Sequence, residues 1–104
     1  MADFVRVASL DDVPQGSMKG FEVGYDRILI VHTEKGLFAM NDECSHERVP
    51  LSDGKLMKSG QVLCTAHGAR FNPETGAVEA PPAIVGVDTF AVKVENGDIF
   101  VKLD

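Results

Sequence analysis

Two short segments that each place a cysteine beside a histidine constrain this chain more than any other feature. The first is the C-x-H segment of Cys44 and His46. The second is the C-x-x-H segment of Cys64 and His67, and the chain has no other cysteine and only one other histidine. Residues two apart in an extended strand, or three apart around a tight turn, face the same way. Each segment can therefore direct both side chains to one point, and the stretch 47–63 is long enough to put the segments on separate loops.

Two thiols and two imidazoles together predict a metal centre, because iron, zinc and copper accept both kinds of donor. Tetrahedral zinc is one alternative, although zinc fingers usually keep the cysteines together and the histidines together. One cysteine and one histidine on each loop instead suits a centre of two metal atoms, in which one atom takes the cysteines and the other the histidines. A disulfide is a further alternative, but it leaves the matched histidines unexplained.

Size and charge limit the classes of function. The chain has 104 residues, 44% of them hydrophobic, which predicts a single domain covering 1–104. Its formal net charge of −6 argues against a nucleic acid or an anionic membrane as partner. No apolar run approaches the roughly 20 residues of a membrane helix, and the first residues lack the basic and apolar regions of a signal peptide. We therefore expect a soluble, cytoplasmic protein, with a monomer as the default.

The hydrophobic pattern predicts an all-β chain. Predicted strands in the first part of the chain cover residues 4–8, 21–23, 27–33 and 37–40. Residues 28–31 are apolar at every position, which predicts a central strand covered on both faces. The one helix-like signal is 9–12, where Ser9 can cap a single turn before Pro14.

The clearest hairpin signal lies near the end of the chain, because Asn96-Gly97 favours a two-residue type I′ turn. Such a turn pairs Glu95 with Asp98 and then brings apolar side chains opposite one another. The predicted apolar pairs are Val94 with Ile99, Val92 with Val101, and Phe90 with Leu103. A register one residue off would bury Lys93 and Glu95, so the turn and the pattern agree.

Residues 41–82 lie between these β regions and differ from them in composition. They are irregular, rich in glycine, proline and polar residues, and they contain both cysteine–histidine segments. We expect an antiparallel β-sandwich scaffold, residues 1–40 and 83–104, that carries a loop-rich metal-binding subdomain inserted at about 41–82. His32 ends a predicted strand and has no cysteine partner, so we expect a structural or merely exposed role for it rather than metal ligation.

The two segments, with Gly68 after the second, closely resemble the cluster-binding boxes of Rieske-type ferredoxins. Rieske centres hold a 2Fe-2S cluster with cysteines on one iron and histidines on the other. The resemblance therefore implies that Cys44 and Cys64 bind one iron. It implies that His46 and His67 bind the second iron, and that the fold is of the Rieske type.

The residues beside the second segment narrow this resemblance. High-potential Rieske proteins of respiratory complexes carry a serine and a tyrosine after the second box, together with two further cysteines that form a disulfide. The matching positions here are Ala69 and Phe71, whose side chains donate no hydrogen bond, and no further cysteine is present. Hydrogen bonds to the cluster raise its potential, so the resemblance implies a low-potential ferredoxin.

The function implied by the resemblance is one-electron transfer, without catalysis by this chain itself. The ferredoxin component of a ring-hydroxylating dioxygenase system takes electrons from a flavin-dependent reductase and delivers them to a terminal oxygenase. No residue set here resembles a nucleophile with its base. Two alternatives stay open, a Rieske-like small subunit of a nitrite reductase or other multisubunit oxidoreductase, and a zinc-stabilised interaction module.

Overall fold

Antiparallel strands make up most of the fold, as the sequence predicts. The computed structural model describes residues 4–44, 49–65, 68–81 and 85–103. The strands within these ranges are β1 (Phe4–Ser9), β2 (Ser17–Val23), β3 (Asp26–Thr33), β4 (Gly36–Asn41), β5 (Lys55–Leu56), β6 (Val62–Leu63), β7 (Arg70–Phe71), β8 (Val78–Ala80), β9 (Thr89–Glu95) and β10 (Asp98–Lys102). Two 3-10 helices, Leu10–Asp12 and Leu51–Asp53, follow β1 and precede β5. No helix in the described ranges is long and apolar enough to cross a membrane.

The strands form two sheets. The large sheet has the order β1-β10-β9-β4-β3-β2, and the small sheet has the order β5-β6-β7-β8. In the large sheet the first strand pairs with the last, and Phe4 lies opposite Lys102. The large sheet is therefore built from residues 4–41 and 89–102, while the small sheet comes from residues 55–80.

Strand β3 is buried on both faces, as predicted. Its residues Ile28, Leu29, Ile30 and Val31 are all 0% exposed. Ile28 and Ile30 pack into one hydrophobic cluster, whereas Leu29 and Val31 pack into another. Since successive side chains of a strand point to opposite faces, β3 is the wall that separates two cores.

The first of these cores, called the scaffold core here, lies between the two halves of the curled large sheet. Its buried members are Val13, Ile28, Ile30, Ala39, Ile99 and Val101. The second, called the cysteine core here, lies on the other face of β3 and reaches the small sheet. Its buried members are Leu29, Val31, Met40, Cys44, Leu51, Val62, Cys64, Ala69 and Phe71. Both cysteines therefore belong to a core that rests directly on the scaffold.

The hairpin of β9 and β10 has the predicted register. Asp98 pairs with Glu95, Ile99 with Val94, and Val101 with Val92. The turn residues Asn96 and Gly97 have φ values of 51° and 80°, as a type I′ turn requires. The ladder ends before the predicted pair of Phe90 and Leu103, although both of these side chains pack against the scaffold core.

Replacing Asn96 with alanine should lower the free energy of unfolding by about 1 kcal/mol, because alanine meets a steric penalty at positive φ that asparagine and glycine largely avoid. Thermal unfolding should show a fall in Tm of about 4–8 °C. Asn96→Gly is the matched control and should unfold close to the unchanged protein. Equal midpoints for the alanine variant and the unchanged protein would contradict this account of the turn.

Two features of the fold differ from the sequence-based expectation. Strand β2 begins at Ser17, four residues before the predicted start, because Ser17 to Gly20 pair with His32 to Leu29 of β3. Serine, lysine and glycine are weak strand formers, so pairing with the neighbouring strand outweighs local propensity here. In addition, the region 41–82 is not built from loops alone, since it contributes the four short strands of the small sheet.

The turn predicted after β1 is present. Ser9 is the N-cap of the 3-10 helix Leu10–Asp12, and its side chain accepts a hydrogen bond from the Asp11 N–H. The Asp12 carboxylate accepts in return from the Ser9 N–H at 3.1 Å. This reciprocal capping explains why a single short turn is stable at this point.

Candidate metal centre

Both cysteines lie at the ends of strands and point into the same core. Cys44 comes three residues after β4, and Cys64 directly follows β6. Their exposed fractions are 3% and 2%, and both belong to the cysteine core. They are not joined by a disulfide, so the disulfide alternative is wrong. Two thiols that follow different strands are thus brought into one water-poor environment.

Each of the two cysteine loops is closed by a backbone hydrogen bond of the same kind. The Cys44 N–H donates to the carbonyl of Val49 at 2.9 Å, and the Cys64 N–H donates to the carbonyl of Ala69 at 2.8 Å. In each case the acceptor lies five residues after the cysteine. The two loops therefore close in the same way, although their sequences share only the cysteine–histidine pattern. This similarity indicates a common function.

The second loop has one more backbone constraint. Gly68 donates its N–H to the carbonyl of Cys64 at 2.9 Å and has a φ of 81°, a value that favours glycine. Gly68 therefore allows a tight turn at the end of this loop. The predicted ligands His46 and His67 both lie outside the described residues, so their assignment stays a prediction.

The side chains around the cysteines are apolar. Ala69 and Phe71 are 1% and 0% exposed and belong to the cysteine core, as do Leu51 and Met40. None of these side chains can donate a hydrogen bond to a sulfur atom. The two thiols therefore have an environment of low polarity on the side that the described residues form.

One buried carboxylate stands next to the first cysteine loop. Asp42 is the only charged residue among the described ones that is buried, and its side chain is 0% exposed. It lies between β4 and Cys44, and its N–H donates to the carbonyl of Arg27 at 2.9 Å. Its carboxylate accepts two hydrogen bonds from Ser52, at 2.7 Å from the N–H and at 2.8 Å from the hydroxyl.

Sequence reasoning missed Asp42, and no local pattern marks it. Its partner Ser52 is ten positions away and stands in the 3-10 helix after the first loop. The space for its carboxylate comes from Gly20 in β2, where a Cβ atom would lie 2.3 Å from Asp42 Oδ2. This buried carboxylate can be recognised only in the folded structure, where Asp42 meets Ser52 of the 3-10 helix and Gly20 of β2.

The segment that precedes β9 is fastened beside the cysteine core. Val87 packs against that core, and its N–H donates to the carbonyl of Gly76 at 2.9 Å. Gly76 has a φ of 77°, and a Cβ atom there would lie 2.0 Å from the Val87 carbonyl oxygen. Gly86 approaches the same point, since a Cβ atom on it would be 2.4 Å from the Gly76 oxygen.

His32 takes no part in this centre. It lies in β3, and its Nδ1 is 2.8 Å from the carbonyl oxygen of Val13. The carbonyl of His32 in turn accepts from the Gly16 N–H at 2.7 Å. The histidine therefore ties the segment before β2 to the large sheet, which confirms the structural role expected for it.

Comparisons with known proteins agree on one family. The family model described as "Rieske [2Fe-2S] domain" matches residues 3–91. The ferredoxin component of biphenyl 2,3-dioxygenase from Rhodococcus jostii (strain RHA1) is 39% identical over 99 residues, which cover 95% of this chain and 92% of that protein.

Solved structures give the same result. The ferredoxin of carbazole 1,9a-dioxygenase from Nocardioides aromaticivorans IC177 superimposes with a TM-score of 0.90 at 30% identity, over 97% of this chain and 98% of that one. A chain in the complex of reduced oxygenase and oxidized ferredoxin in carbazole 1,9a-dioxygenase gives a TM-score of 0.86 at 27% identity, over 95% and 92% of the two chains.

Proposed function

The chain belongs to the Rieske 2Fe-2S family, and on that basis we propose that it is the one-electron carrier of an oxygenase system. It takes electrons from a flavin-dependent reductase and passes them to a terminal oxygenase, and it is not itself the catalytic subunit. The relatives support this role, since those of biphenyl and carbazole dioxygenases are ferredoxin components. A ferredoxin bound to its oxygenase is also among the structures that share this fold.

The cofactor is a Rieske 2Fe-2S cluster, which accepts and releases a single electron. We propose Cys44 and Cys64 as the ligands of one iron, and His46 and His67 as the ligands of the other. The donor chemistry fits, because the thiols are buried together in an apolar core and are not oxidised to a disulfide. The observation that carries this proposal is the matching closure of the two cysteine loops, in which each cysteine N–H donates to the carbonyl five residues later.

The burial of Ala69 and Phe71 supports a low reduction potential. Both positions follow the second cysteine loop, and both side chains are apolar and sealed from water. Without a hydroxyl at either position, the chain withholds the hydrogen bonds that stabilise the more negative, reduced cluster. We place the potential in the lower part of the span of about −150 to +300 mV that Rieske centres occupy.

The organisation that supports this function is a single domain over residues 1–104. Residues 1–40 and 83–104 form the scaffold, and residues 41–82 form the inserted cluster-binding subdomain. We propose that the protein works as a soluble monomer in the cytoplasm. Its partners are then the two redox proteins, with neither a nucleic acid nor a membrane involved, and its charge of −6 suits basic docking surfaces on those proteins.

Electron transfer by the loaded protein tests this proposal. The purified protein should contain two irons and two acid-labile sulfides, take up one electron per chain, and show a rhombic EPR signal only after reduction. With NADH and a flavin-dependent reductase, the terminal oxygenase of an aromatic-ring dioxygenase should become reduced only when this chain is added. A colourless zinc protein, or a reduced cluster that the oxygenase fails to reoxidise, would contradict the proposal.

The same purification distinguishes a free electron carrier from the remaining alternative, a subunit of a larger oxidoreductase. A Rieske-like small subunit of a nitrite reductase or another multisubunit oxidoreductase should copurify with its large subunit. A free carrier should instead purify alone and exchange electrons with its partners in transient encounters. Stable copurification with a large subunit would favour the subunit assignment.

A further inference from the structure

Asp42 is a buried carboxylate that the ligand assignment leaves unused. Its side chain is 0% exposed, whereas the cationic side chain that pairs with it among the described residues, Arg27, is 54% exposed and stays 3.9 Å away. A contact of 3.9 Å to a solvated guanidinium neutralises a buried charge only weakly. Burial of a charge is costly unless hydrogen bonds compensate for it, so a fold that keeps Asp42 here has provided for it specifically.

Hydrogen bonds from Ser52 supply that compensation. The Ser52 N–H donates to Oδ1 at 2.7 Å, and the Ser52 hydroxyl donates to Oδ2 at 2.8 Å. Both carboxylate oxygens therefore accept, as an ionised carboxylate does. The N–H that reaches Oδ1 belongs to the first turn of the 3-10 helix Leu51–Asp53, whose N-cap residue Pro50 makes no side-chain cap.

This pair of hydrogen bonds lies across the base of the first cysteine loop. Asp42 is two residues before Cys44, and Ser52 is three residues after Val49, the residue that accepts from Cys44. The connection between Asp42 and Ser52 therefore runs beside the closure of the loop itself. Gly20 of β2 leaves room for these hydrogen bonds, because a Cβ atom at that position would lie 2.3 Å from Asp42 Oδ2 and 2.9 Å from the Ser52 hydroxyl oxygen.

We propose that the buried negative charge of Asp42 keeps the reduction potential of the cluster low. The proposal rests on the proposed role of Cys44 as a ligand, because that role puts the cluster two residues from the carboxylate. Reduction adds one negative charge to the cluster. A fixed negative charge nearby opposes that step, and it does so more strongly in a medium of low polarity than in water.

Asp42→Asn is the direct test, because asparagine removes the charge and can keep both links to Ser52. Its oxygen accepts from the Ser52 N–H, and its NH2 group donates to the Ser52 hydroxyl oxygen. Asp53→Asn is the matched control. Asp53 is an exposed carboxylate that lies next to Ser52 in the 3-10 helix Leu51–Asp53. Protein-film voltammetry of the loaded variants should show a rise in potential for Asp42→Asn that clearly exceeds the shift for Asp53→Asn.

Ser52→Ala separates an effect of charge from an effect of structure. This variant removes one hydrogen bond to the carboxylate and leaves the negative charge less compensated, so it should lower the potential. A connection that merely held the loop in place would be loosened by both changes and would move the potential in the same direction. Opposite signs for Asp42→Asn and Ser52→Ala are therefore the expected signature.

The outcomes are distinct from those that test the ligand assignment. Equal shifts for Asp42→Asn and Asp53→Asn, or an unchanged or raised potential for Ser52→Ala, would overturn the role of Asp42 even in a fully loaded protein. If Asp42→Asn fails to assemble a cluster, Ser52→Ala decides alone, and an unchanged or raised potential rejects the proposal. Retention of the cluster after replacement of Cys44 would instead refute the ligand assignment on which the proposal rests.

Discussion

Cys64→Ser should yield a folded protein that holds no 2Fe-2S cluster, and this is the largest single effect we expect. A serine hydroxyl is a much poorer ligand of an iron–sulfur cluster than a thiolate, because these clusters are held by soft sulfur donors. Cys44→Ser should have the same consequence. Each cysteine contributes a separate bond to the same iron in the proposed centre, so neither can substitute for the other.

Three measurements check this result. Iron and acid-labile sulfide should fall from about two of each per chain to nearly none, the visible absorption should vanish, and the reduced sample should lack an EPR signal. Thr65→Ser is the control within the same loop, since Thr65 is exposed and adjacent to Cys64. It should load normally. Two irons per chain in Cys64→Ser would refute the proposed ligand set.

Loss of the cluster must be separated from loss of the fold. Serine in place of a buried cysteine adds a hydroxyl group to an apolar core, at a cost of about 1–3 kcal/mol. Cys64→Ala removes the thiol without adding a polar group and should lose the cluster equally. Far-ultraviolet circular dichroism of both variants should retain the β-sheet signal of the unchanged apoprotein. Cluster loss by the serine variant alone would point to misfolding rather than to ligation.

Gly54→Ala should be strongly destabilising, because a side chain at this position would collide with backbone atoms near the centre. A Cβ atom at Gly54 would lie 1.9 Å from the carbonyl oxygen of Leu63 and 3.1 Å from that of Leu51. Both contacts are with backbone atoms, which cannot rotate away as a side chain can. Leu63 ends β6 and immediately precedes Cys64, so relief of the clash displaces the strand that carries a proposed ligand.

We expect Gly54→Ala to lower the free energy of unfolding by about 3 kcal/mol, at the upper end of the usual cost of overpacking. Thermal unfolding should show a fall in Tm on the order of 15 °C. Gly60→Ala is the control, because a Cβ atom there meets nothing within 4 Å and only the φ of 93° is unfavourable. That variant should lose about 1 kcal/mol. Equal losses in the two variants would show that the close approach at Gly54 is unimportant.

The parts of the fold that were predictable depend on neighbours in the sequence. Asn96 and Gly97 set the turn, and the alternation on either side of it sets the register, so the pairing of Val92 with Val101 could be read directly. The burial of β3 on both faces was visible for the same reason, since residues 28–31 are all apolar. The sequence-based prediction and the structure agree wherever residues close together in the sequence are enough to decide the conformation.

What could not be predicted depends on contacts between distant segments. The first half of β2 contains Lys19 and Gly20, which disfavour a strand, and only its pairing with β3 explains it. The glycine is needed for a reason that no local pattern reveals, namely the carboxylate of Asp42 from beyond β4. In the candidate site, the spacing of cysteines and histidines indicated metal binding. The buried carboxylate of Asp42, two residues before Cys44, could be recognised only in the folded structure.

The double burial of β3 bears on the order of events during synthesis. One face of this strand supports the cysteine core, while the other is covered by β9 and β10, which the ribosome makes last. Contacts such as that of Arg6 with Asp98, 92 positions apart, give the fold a high contact order, and such folds take milliseconds to seconds to form. Both thiols leave the ribosome before the sheet behind them is complete. The apolar support behind both cysteines is therefore complete only after the last two strands have been made.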